Sequence, residues 1–322
     1  MRSFMFLIVT VAVLALAIPL NTVVKHRTQL CSRRFSFANP SNDAAFKHIF
    51  KDNKNKKLLL SFLNDVLMRR EDSQIKEIEY LDTETTFSSI SLKSSRFDVL
   101  CTDVNGGRYI IQMEKDISKS GTNEGFLKRI QLYLSRLHSS QLRKGNEYSS
   151  IKPAVCIVIT GSKPLPTSSH ISRHEIVDIK QHSKSLNDLE WIIIELPKFV
   201  MPTMPSELDE WLYLFKEGYK KESIPPFIQS DIVRCAYEAL DQKRWSQELE
   251  YEYLLYDMAL MDYQNDLAES KTEGKYEAVK EIVITMLGKG IPETTIIKLT
   301  NITRDDLESI IKQNNELKDS ES

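Results

Sequence analysis

The stretch Arg96–Glu114 reads RFDVLCTDVNGGRYIIQME and consists of two alternating runs on either side of a glycine-rich turn. Two short alternating runs joined by Asn-Gly-Gly are typical of a β-hairpin. The apolar side chains fall at odd positions, namely Phe97, Val99, Cys101, Tyr109, Ile111 and Met113. Because successive side chains of a strand point to opposite faces, these positions predict one shared core face and an opposite, non-core face.

The turn decides which residues face each other across the hairpin. Facing residue numbers in an antiparallel pair add to a constant, which must be even if the odd positions share a face. A three-residue loop, Asn105–Gly107, gives 212 and meets this condition, whereas a two-residue loop does not. We therefore expect Asp98 opposite Glu114, with Gln112 beside them. Two carboxylates at a Cβ distance of ~5 Å either repel each other or share a divalent cation. The alternative interpretation is a solvent-facing hairpin with incidental charges.

Outward from the hairpin, helical patterns alternate with short strand patterns. Apolar spacing predicts helices over 42–50, 54–67 and 126–143, and β-rich runs predict strands over 75–80, 155–160 and 191–196. Residues 155–159 are all apolar, as expected of a strand buried on both faces. After Pro205 the pattern is helical to the end. This order predicts an α/β fold, with a mixed sheet flanked by helices and a helical C-terminal region.

The composition is that of a folded chain. With 322 residues, 41% hydrophobic and 27% charged, the sequence is neither disordered nor a polytopic membrane protein. A net charge of −2 excludes an overall basic, nucleic-acid-binding composition. The four cysteines are far apart in sequence and form no CxxC pair, which argues against a disulfide scaffold or a zinc cluster.

The charge is unevenly distributed along the chain. Residues 127–145 contain basic side chains and no Asp or Glu, whereas residues 206–270 hold fifteen acidic and six basic residues, a net of −9. The first half could therefore offer a basic surface to a phosphate backbone. An ordinary solvated helix face is the alternative for such a run.

The N-terminus differs from the rest of the chain. An uncharged apolar run covers residues 4–20, and basic residues follow it up to Arg34. Its length and flanks predict a membrane-targeting segment, either a signal peptide or an anchor. We expect three parts: this segment over 1–34, a core over 35–204 and a helical region over 205–322.

Several ordered motifs resemble one family. NDAAFKHIF at 42–50 is similar to the "ND..FK..F" opening of the Rpn recombination-promoting nucleases, which are transposases of the PD-(D/E)XK superfamily. LSFLNDVL at 60–67 and the hairpin itself resemble the motifs that follow in that family. Lys128-Arg129 with the later SSQL, residues 139–142, resembles its next helix. The resemblance runs from about residue 35 to residue 270.

The resemblance implies a PD-(D/E)XK, restriction-endonuclease-like core and a Mg²⁺-dependent endonuclease acting on double-stranded DNA. The catalytic residues would be Asp98, Gln112 and Glu114, with Asp98 and Glu114 holding the metal. Compared with the family pattern, the carboxylate expected at 112 and the amide expected at 114 are exchanged. The family's motif lysine is missing, because Asp116 occupies its position and Lys115 points to the opposite face.

The resemblance also implies a DNA-binding helix after the hairpin. Its contact residues would be Lys128, Arg129, Tyr133, Arg136 and Gln141. Asp43 is a candidate for the outer shell of the metal, with a helix cap as the alternative role. A homodimer and membrane association through residues 4–20 are further expectations. The family implies a cytoplasmic protein, whereas the N-terminal run predicts membrane or secretory-route targeting. A catalytically silent DNA-binding or protein-interaction module that keeps the fold is the alternative function.

Overall fold

The structure, a computed structural model, describes residues 37–82, 97–116, 122–142 and 145–320, without the side chains of 316–320. Compact packing divides it into two units, one ending at Tyr253 and one spanning Leu254–Ser322. The apolar run over 4–20 lies outside the described residues. Within the described ranges, no helix has both the length and the apolar character required to cross a membrane.

The first unit is built around a six-stranded mixed sheet, which confirms the predicted α/β class. The strands are β1 (Ile78–Tyr80), β2 (Val99–Asp103), β3 (Arg108–Glu114), β4 (Ala154–Thr160), β5 (Ile171–Ile176) and β6 (Leu186–Glu195). Their order is β1-β2-β3-β4-β6-β5. The three central strands β3, β4 and β6 are parallel, and the outer pairs are antiparallel. Every residue of β4 is buried, as its wholly apolar run predicted.

Helices before residue 247 complete the described part of this unit. They are α1 (Asp43–Phe50), α2 (Lys56–Val66), α3 (Asn123–Ser139), α4 (Glu207–Lys216) and α5 (Asp231–Leu240). The Asn42 side chain caps α1 by accepting from the N–H groups of Ala44 and Ala45. This contact makes Asn42 the cap, so Asp43 is left for another role.

The sheet is covered on both faces, which corrects the expectation of one core face and one non-core face. Odd-numbered residues of the hairpin, such as Val99 and Ile111, pack against aromatic side chains of α1, α2 and α4. Even-numbered residues, such as Leu100 and Ile110, pack under α3. Helix α3 buries a stripe of apolar side chains at helical spacing, namely Phe126, Ile130, Leu134 and Leu137. Full burial of each such side chain stabilises the folded state by ~1.5–3 kcal/mol.

The hairpin register has the predicted parity but is displaced by two residues. Val99 pairs with Ile111 and Cys101 with Tyr109, so facing numbers add to 210 rather than 212. The loop is therefore 104–106, with Gly106 at φ +85°. The reason is the Asp103 side chain, whose Oδ1 accepts from the N–H groups of Asn105 (2.8 Å) and Gly107 (3.0 Å). An aspartate that caps its own turn in this way starts the loop at the following residue.

Two further expectations about the sheet are wrong. Phe97 packs with the core under α3 rather than with Val99, because the alternation breaks just before β2. Strand β5 was not predicted, because it is an edge strand with mostly exposed side chains and lacks an apolar run.

The second unit is helical. Its elements include the part of α6 (Gln247–Gly288) beyond Tyr253, α7 (Glu293–Thr300) and α8 (Arg304–Ser320). Val283, Ile296, Leu307 and Ile310 form its small core. Asn301 ends α7 in the left-handed region at φ 55°, and the Thr303 hydroxyl and the Asp306 carboxylate cap the start of α8 reciprocally.

Candidate active site

Asp98 is a mostly buried carboxyl at the start of β2. The backbone pairing of β2 with β3 ends at Val99. One residue earlier, the Asp98 side chain makes a further contact with β3, because its Oδ2 accepts a hydrogen bond from the Met113 N–H at 2.7 Å. Burial raises the pKa of Asp98 to about 7, although the hydrogen bond from Met113 lowers it. Asp43 and Glu114 raise this pKa further, and Lys47 lowers it.

Gln112 follows Ile111, the last residue of β3 that pairs with β2. Facing residue numbers in this pair add to 210 rather than 212, so the expected direct pairing of Asp98 with Glu114 is wrong. The Gln112 side chain is 8% exposed, and its Oε1 has no hydrogen-bond partner in the described part of the chain. A buried acceptor without a partner is costly, so this oxygen is available for a ligand.

Glu114, the last residue of β3, is paired with a cation from the helix that covers it. Glu114 Oε2 accepts from Arg129 Nη2 at 2.5 Å, and the two side chains are 15% and 27% exposed. The Arg129 guanidinium also lies over the rings of Phe126 (5.7 Å) and Tyr133 (5.9 Å). Its Nε is buried without an acceptor among the described residues, so Arg129 has a further donor for an anion.

Helix α1 carries an ion pair of its own, between Asp43 and Lys47. Lys47 Nζ lies 2.8 Å from Asp43 Oδ2, one helical turn away, and both side chains are partly exposed. Because Asn42 is the cap, the capping role considered for Asp43 is wrong, and Asp43 instead acts electrostatically on Asp98. The sequence analysis did not assign a role to Lys47. Its spacing of four residues from Asp43 was the available signal.

Helix α3 brings part of the predicted DNA-binding set to this cluster. The Tyr133 ring packs edge-on against Phe97 at 4.8 Å. Burial raises the pKa of Tyr133, with further electrostatic effects from Arg129, Glu114, Arg136 and Asp98. Arg129, Tyr133 and Arg136 therefore lie together beside the carboxyls.

Two members of the predicted DNA-binding set do not join the cluster. Lys128 is exposed and pairs with Glu124 on its own helix at 2.5 Å. Gln141 lies beyond the far end of α3 and exchanges two hydrogen bonds with the backbone of Lys152, of 2.8 and 3.0 Å. Helix α3 ends ten residues after Arg129, ~15 Å along its axis at 1.5 Å per residue, and Gln141 lies two residues beyond its end. Gln141 thus joins the end of α3 to the segment before β4.

Asp98, Gln112 and Glu114 carry the kind of oxygen donors that a hard divalent cation takes. In the described ranges, no three Asp, Glu, His or Cys side chains form a ready-made ligand group. The donors at hand are instead two carboxylates, Asp98 and Glu114, and the unpartnered Oε1 of Gln112. Oxygen donors of this kind are the ones that Mg²⁺ prefers, and a cation would also relieve the penalty that keeps the pKa of Asp98 high.

Comparison with known proteins gives one match. The model of a family described as "PD-(D/E)XK nuclease family transposase" matches residues 40–270. No curated protein and no solved structure matches the chain. The matched range contains every side chain of the cluster and the whole mixed sheet, and it covers well over half of the chain. The chain therefore belongs to the family of PD-(D/E)XK nuclease family transposases.

Proposed function

We propose that this protein is a Mg²⁺-dependent endonuclease that hydrolyses phosphodiester bonds of double-stranded DNA. The observation that carries the proposal is the mostly buried Asp98 carboxyl, with a pKa of about 7, which accepts at 2.7 Å from the N–H of Met113, the residue between Gln112 and Glu114. A carboxyl held at such a pKa by burial and by neighbouring carboxylates is typical of a functional site. Family membership supports nuclease chemistry in general.

Asp98 and Glu114 are the residues that would hold the ion. When bound, Mg²⁺ supplies positive charge beside the reacting phosphate and lowers the pKa of water. Asp98 is held in place by the Met113 N–H, so its position does not depend on a flexible contact. Gln112 is enclosed by the sheet and by α3, and its Oε1 can accept a hydrogen bond from the attacking water and orient it.

Arg129 connects the carboxyl cluster to the substrate. Its guanidinium is fixed by Glu114 and by two aromatic rings, which reduces the entropy lost on binding a phosphate. Its planar group has five donors, so it can keep the contact with Glu114 while another N–H reaches a phosphate oxygen. Arg136, beside Tyr133 on the same side of α3, extends this positive surface along the DNA backbone.

The exchange of Gln112 and Glu114 is consistent with this arrangement. Positions 112 and 114 are two residues apart on β3, so their side chains lie on the same face of the sheet. The amide at 112 keeps an oxygen donor on that face. The second carboxylate lies two residues further along β3, where Arg129 compensates its charge.

Plasmid nicking by the full chain, with and without Mg²⁺, tests the proposal. Asp98→Asn keeps the acceptor for the Met113 N–H and removes the charge, so we expect a fold that is retained and nicking reduced at least 100-fold. Asp305→Asn, an exposed site on α8, is the matched control and should cleave like the wild type. Equal Mg²⁺-dependent nicking by wild type and Asp98→Asn would refute the assignment of the site.

One observation favours the alternative, a catalytically silent DNA-binding module. Arg129 occupies Glu114, and the motif-lysine position holds Asp116, whose charge is wrong for stabilising a phosphate. A silent module predicts no nicking by the wild type at any Mg²⁺ concentration, together with DNA binding that weakens as salt rises. The same plasmid measured by cleavage and by gel shift therefore separates the two functions.

A further inference from the structure

Cys235 on α5 and Lys57 on α2 are two nucleophilic side chains that the proposed nuclease chemistry does not use. Lys57 Nζ lies 3.5 Å from Cys235 Sγ, although 178 residues separate them in sequence. The thiol and the amine therefore meet only because the two helices pack together.

The backbone positions of both side chains are fixed by the core. Leu58 and Ala236, the next residues along each helix, are fully buried and belong to the same apolar cluster. Cys235 itself is half-buried, whereas Lys57 is exposed. The contact thus lies at the edge of the core, where a small solute can reach the sulfur from solvent.

Cys235 differs in this respect from the two other cysteines that the structure describes. Cys101 and Cys156 lie within β2 and β4, both are 0% exposed, and burial raises the pKa of both thiols. A buried thiol with a raised pKa is a poor nucleophile, because the thiolate is the reactive form. Among the described cysteines, we therefore expect oxidation at Cys235.

We propose that Lys57 and Cys235 form a redox modification site, in which a peroxide converts the pair into a covalent sulfenamide bridge between α2 and α5. This site goes beyond the proposed nuclease function and does not depend on it.

The chemistry takes two steps, with hydrogen peroxide as the oxidant. The Cys235 sulfur attacks one peroxide oxygen, the O–O bond breaks, and the products are a sulfenic acid and water. The neutral amine of Lys57 then attacks the sulfur, so that an S–N bond forms and the S–O bond breaks. The hydroxyl leaves as a second water with a proton from the nitrogen. Sulfur is oxidised and peroxide reduced by two electrons, and the pair loses two hydrogen atoms in total.

Proximity favours this second step over further oxidation of the sulfur. A sulfenic acid otherwise proceeds to a sulfinic acid, which thiols do not reduce. The Lys57 amine is held in contact with the sulfur, so its effective concentration there far exceeds that of an amine in solution. A thiol reductant opens the S–N bond and returns the free thiol and amine, so the bridge is reversible.

Mass spectrometry of the full chain after treatment with hydrogen peroxide tests the proposal. Trypsin does not cut after a lysine whose amine is bonded, so the bridge joins residues 57–69 and 235–243 in one species. Its mass is lower by two hydrogen atoms than the sum of the two peptides. Dithiothreitol added before digestion should remove it. Peroxide added to the protein unfolded in urea should not form it, because unfolding separates the two helices.

Lys57→Gln and Lys56→Gln are the matched variants. Lys56 is the neighbouring residue, and its ammonium lies over the Tyr80 ring at 5.9 Å. We expect Lys56→Gln to form the bridge like the wild type. Lys57→Gln should form none and should carry about tenfold more sulfinic acid at Cys235, because its sulfenic acid has lost the amine that intercepts it. Similar thermal unfolding of the two variants is the check that both fold alike.

Met204, 90% exposed, is the internal control for the dose of peroxide, since its sulfoxide shows that the oxidant was sufficient. At that dose, a folded wild type that carries sulfinic acid at Cys235 without the bridged species would overturn the proposal. An unmodified Cys235 at the same dose would overturn it as well, and so would a bridge that forms equally in urea.

Discussion

Replacing Asp98 by Asn should stabilise the protein at high pH and leave it unchanged at low pH. The pKa of Asp98 is about 7 in the folded protein, against an ordinary value of 3.8. Below pH 4 the carboxyl is neutral in both states, so it has no pH-dependent effect. Between about pH 4 and pH 7 the unfolded chain releases the proton and the folded protein keeps it, so the free energy of unfolding of the wild type falls as pH rises.

The size of the effect follows from the difference between these pKa values. About three pKa units at 1.36 kcal/mol each give an upper limit of about 4 kcal/mol above pH 7. The carboxyl is not fully enclosed, so we expect about 2–4 kcal/mol. Asparagine retains an oxygen that can accept from the Met113 N–H at the position where Asp98 now accepts, so the hydrogen bond itself should survive.

Urea unfolding of wild type and Asp98→Asn at several pH values between 4 and 9, without divalent ions, measures this difference. The difference in the free energy of unfolding, variant minus wild type, should increase from pH 4 to pH 7 and stay constant above pH 7. Asp305→Asn, an exposed substitution, should show no such trend. An advantage that does not change with pH, or a less stable variant at pH 8, would refute the assignment of a raised pKa to Asp98. Adding Mg²⁺ at pH 8 should stabilise the wild type more than the variant, because an ion that binds the folded state shifts its stability by mass action.

Three other substitutions test the site and its supports. The double variant Gln112→Glu/Glu114→Gln restores the family order without changing net charge, and it should nick plasmid DNA at least as fast as the wild type; a much slower rate would show that the carboxylate is needed at 114. Gly161→Ala should lower the free energy of unfolding, measured in urea, by ~1–3 kcal/mol, because the new Cβ would lie 2.3 Å from a backbone carbonyl oxygen just beyond β3. The control Gly274→Ala should not destabilise the protein, because a Cβ at Gly274 would lie in open space. Gln141→Ala should lower stability by ~1 kcal/mol through its lost backbone hydrogen bonds and leave the salt slope of DNA binding unchanged; a reduced slope would return Gln141 to the DNA surface.

Local structure in this protein follows from local sequence. Strand β3 follows the predicted turn and ends at Glu114, and α1 lies within the helix predicted over 42–50. Both depend on contacts within a few residues, which a pattern of side chains specifies directly. Edge strand β5 was missed for the same reason, since its sequence carries no apolar alternation and it exists through pairing with β6.

The composition of the site was only partly accessible. Asp98, Gln112 and Glu114 were recognised because they lie on one hairpin and match a family motif. The ion pair of Glu114 with Arg129 depends on how α3 packs over the sheet, which a local pattern does not specify. Gln141 was assigned to the DNA surface because it lies in the same helical pattern as Arg129, whereas the structure places it at the other end of that helix.

By itself, the sequence determined the fold class, the hairpin and the parity of its register. Alternation of side chains requires an even sum of facing residues and permits 210 and 212 equally. The choice between them came from the turn, where the Asp103 carboxylate binds two backbone N–H groups and starts the loop one residue earlier. That displacement of two residues removes Glu114 as the direct partner of Asp98. The tertiary structure alone decided that the even face is buried under α3 and that Glu114 is ion-paired with Arg129, because packing of a helix against the sheet sets both burial and charge.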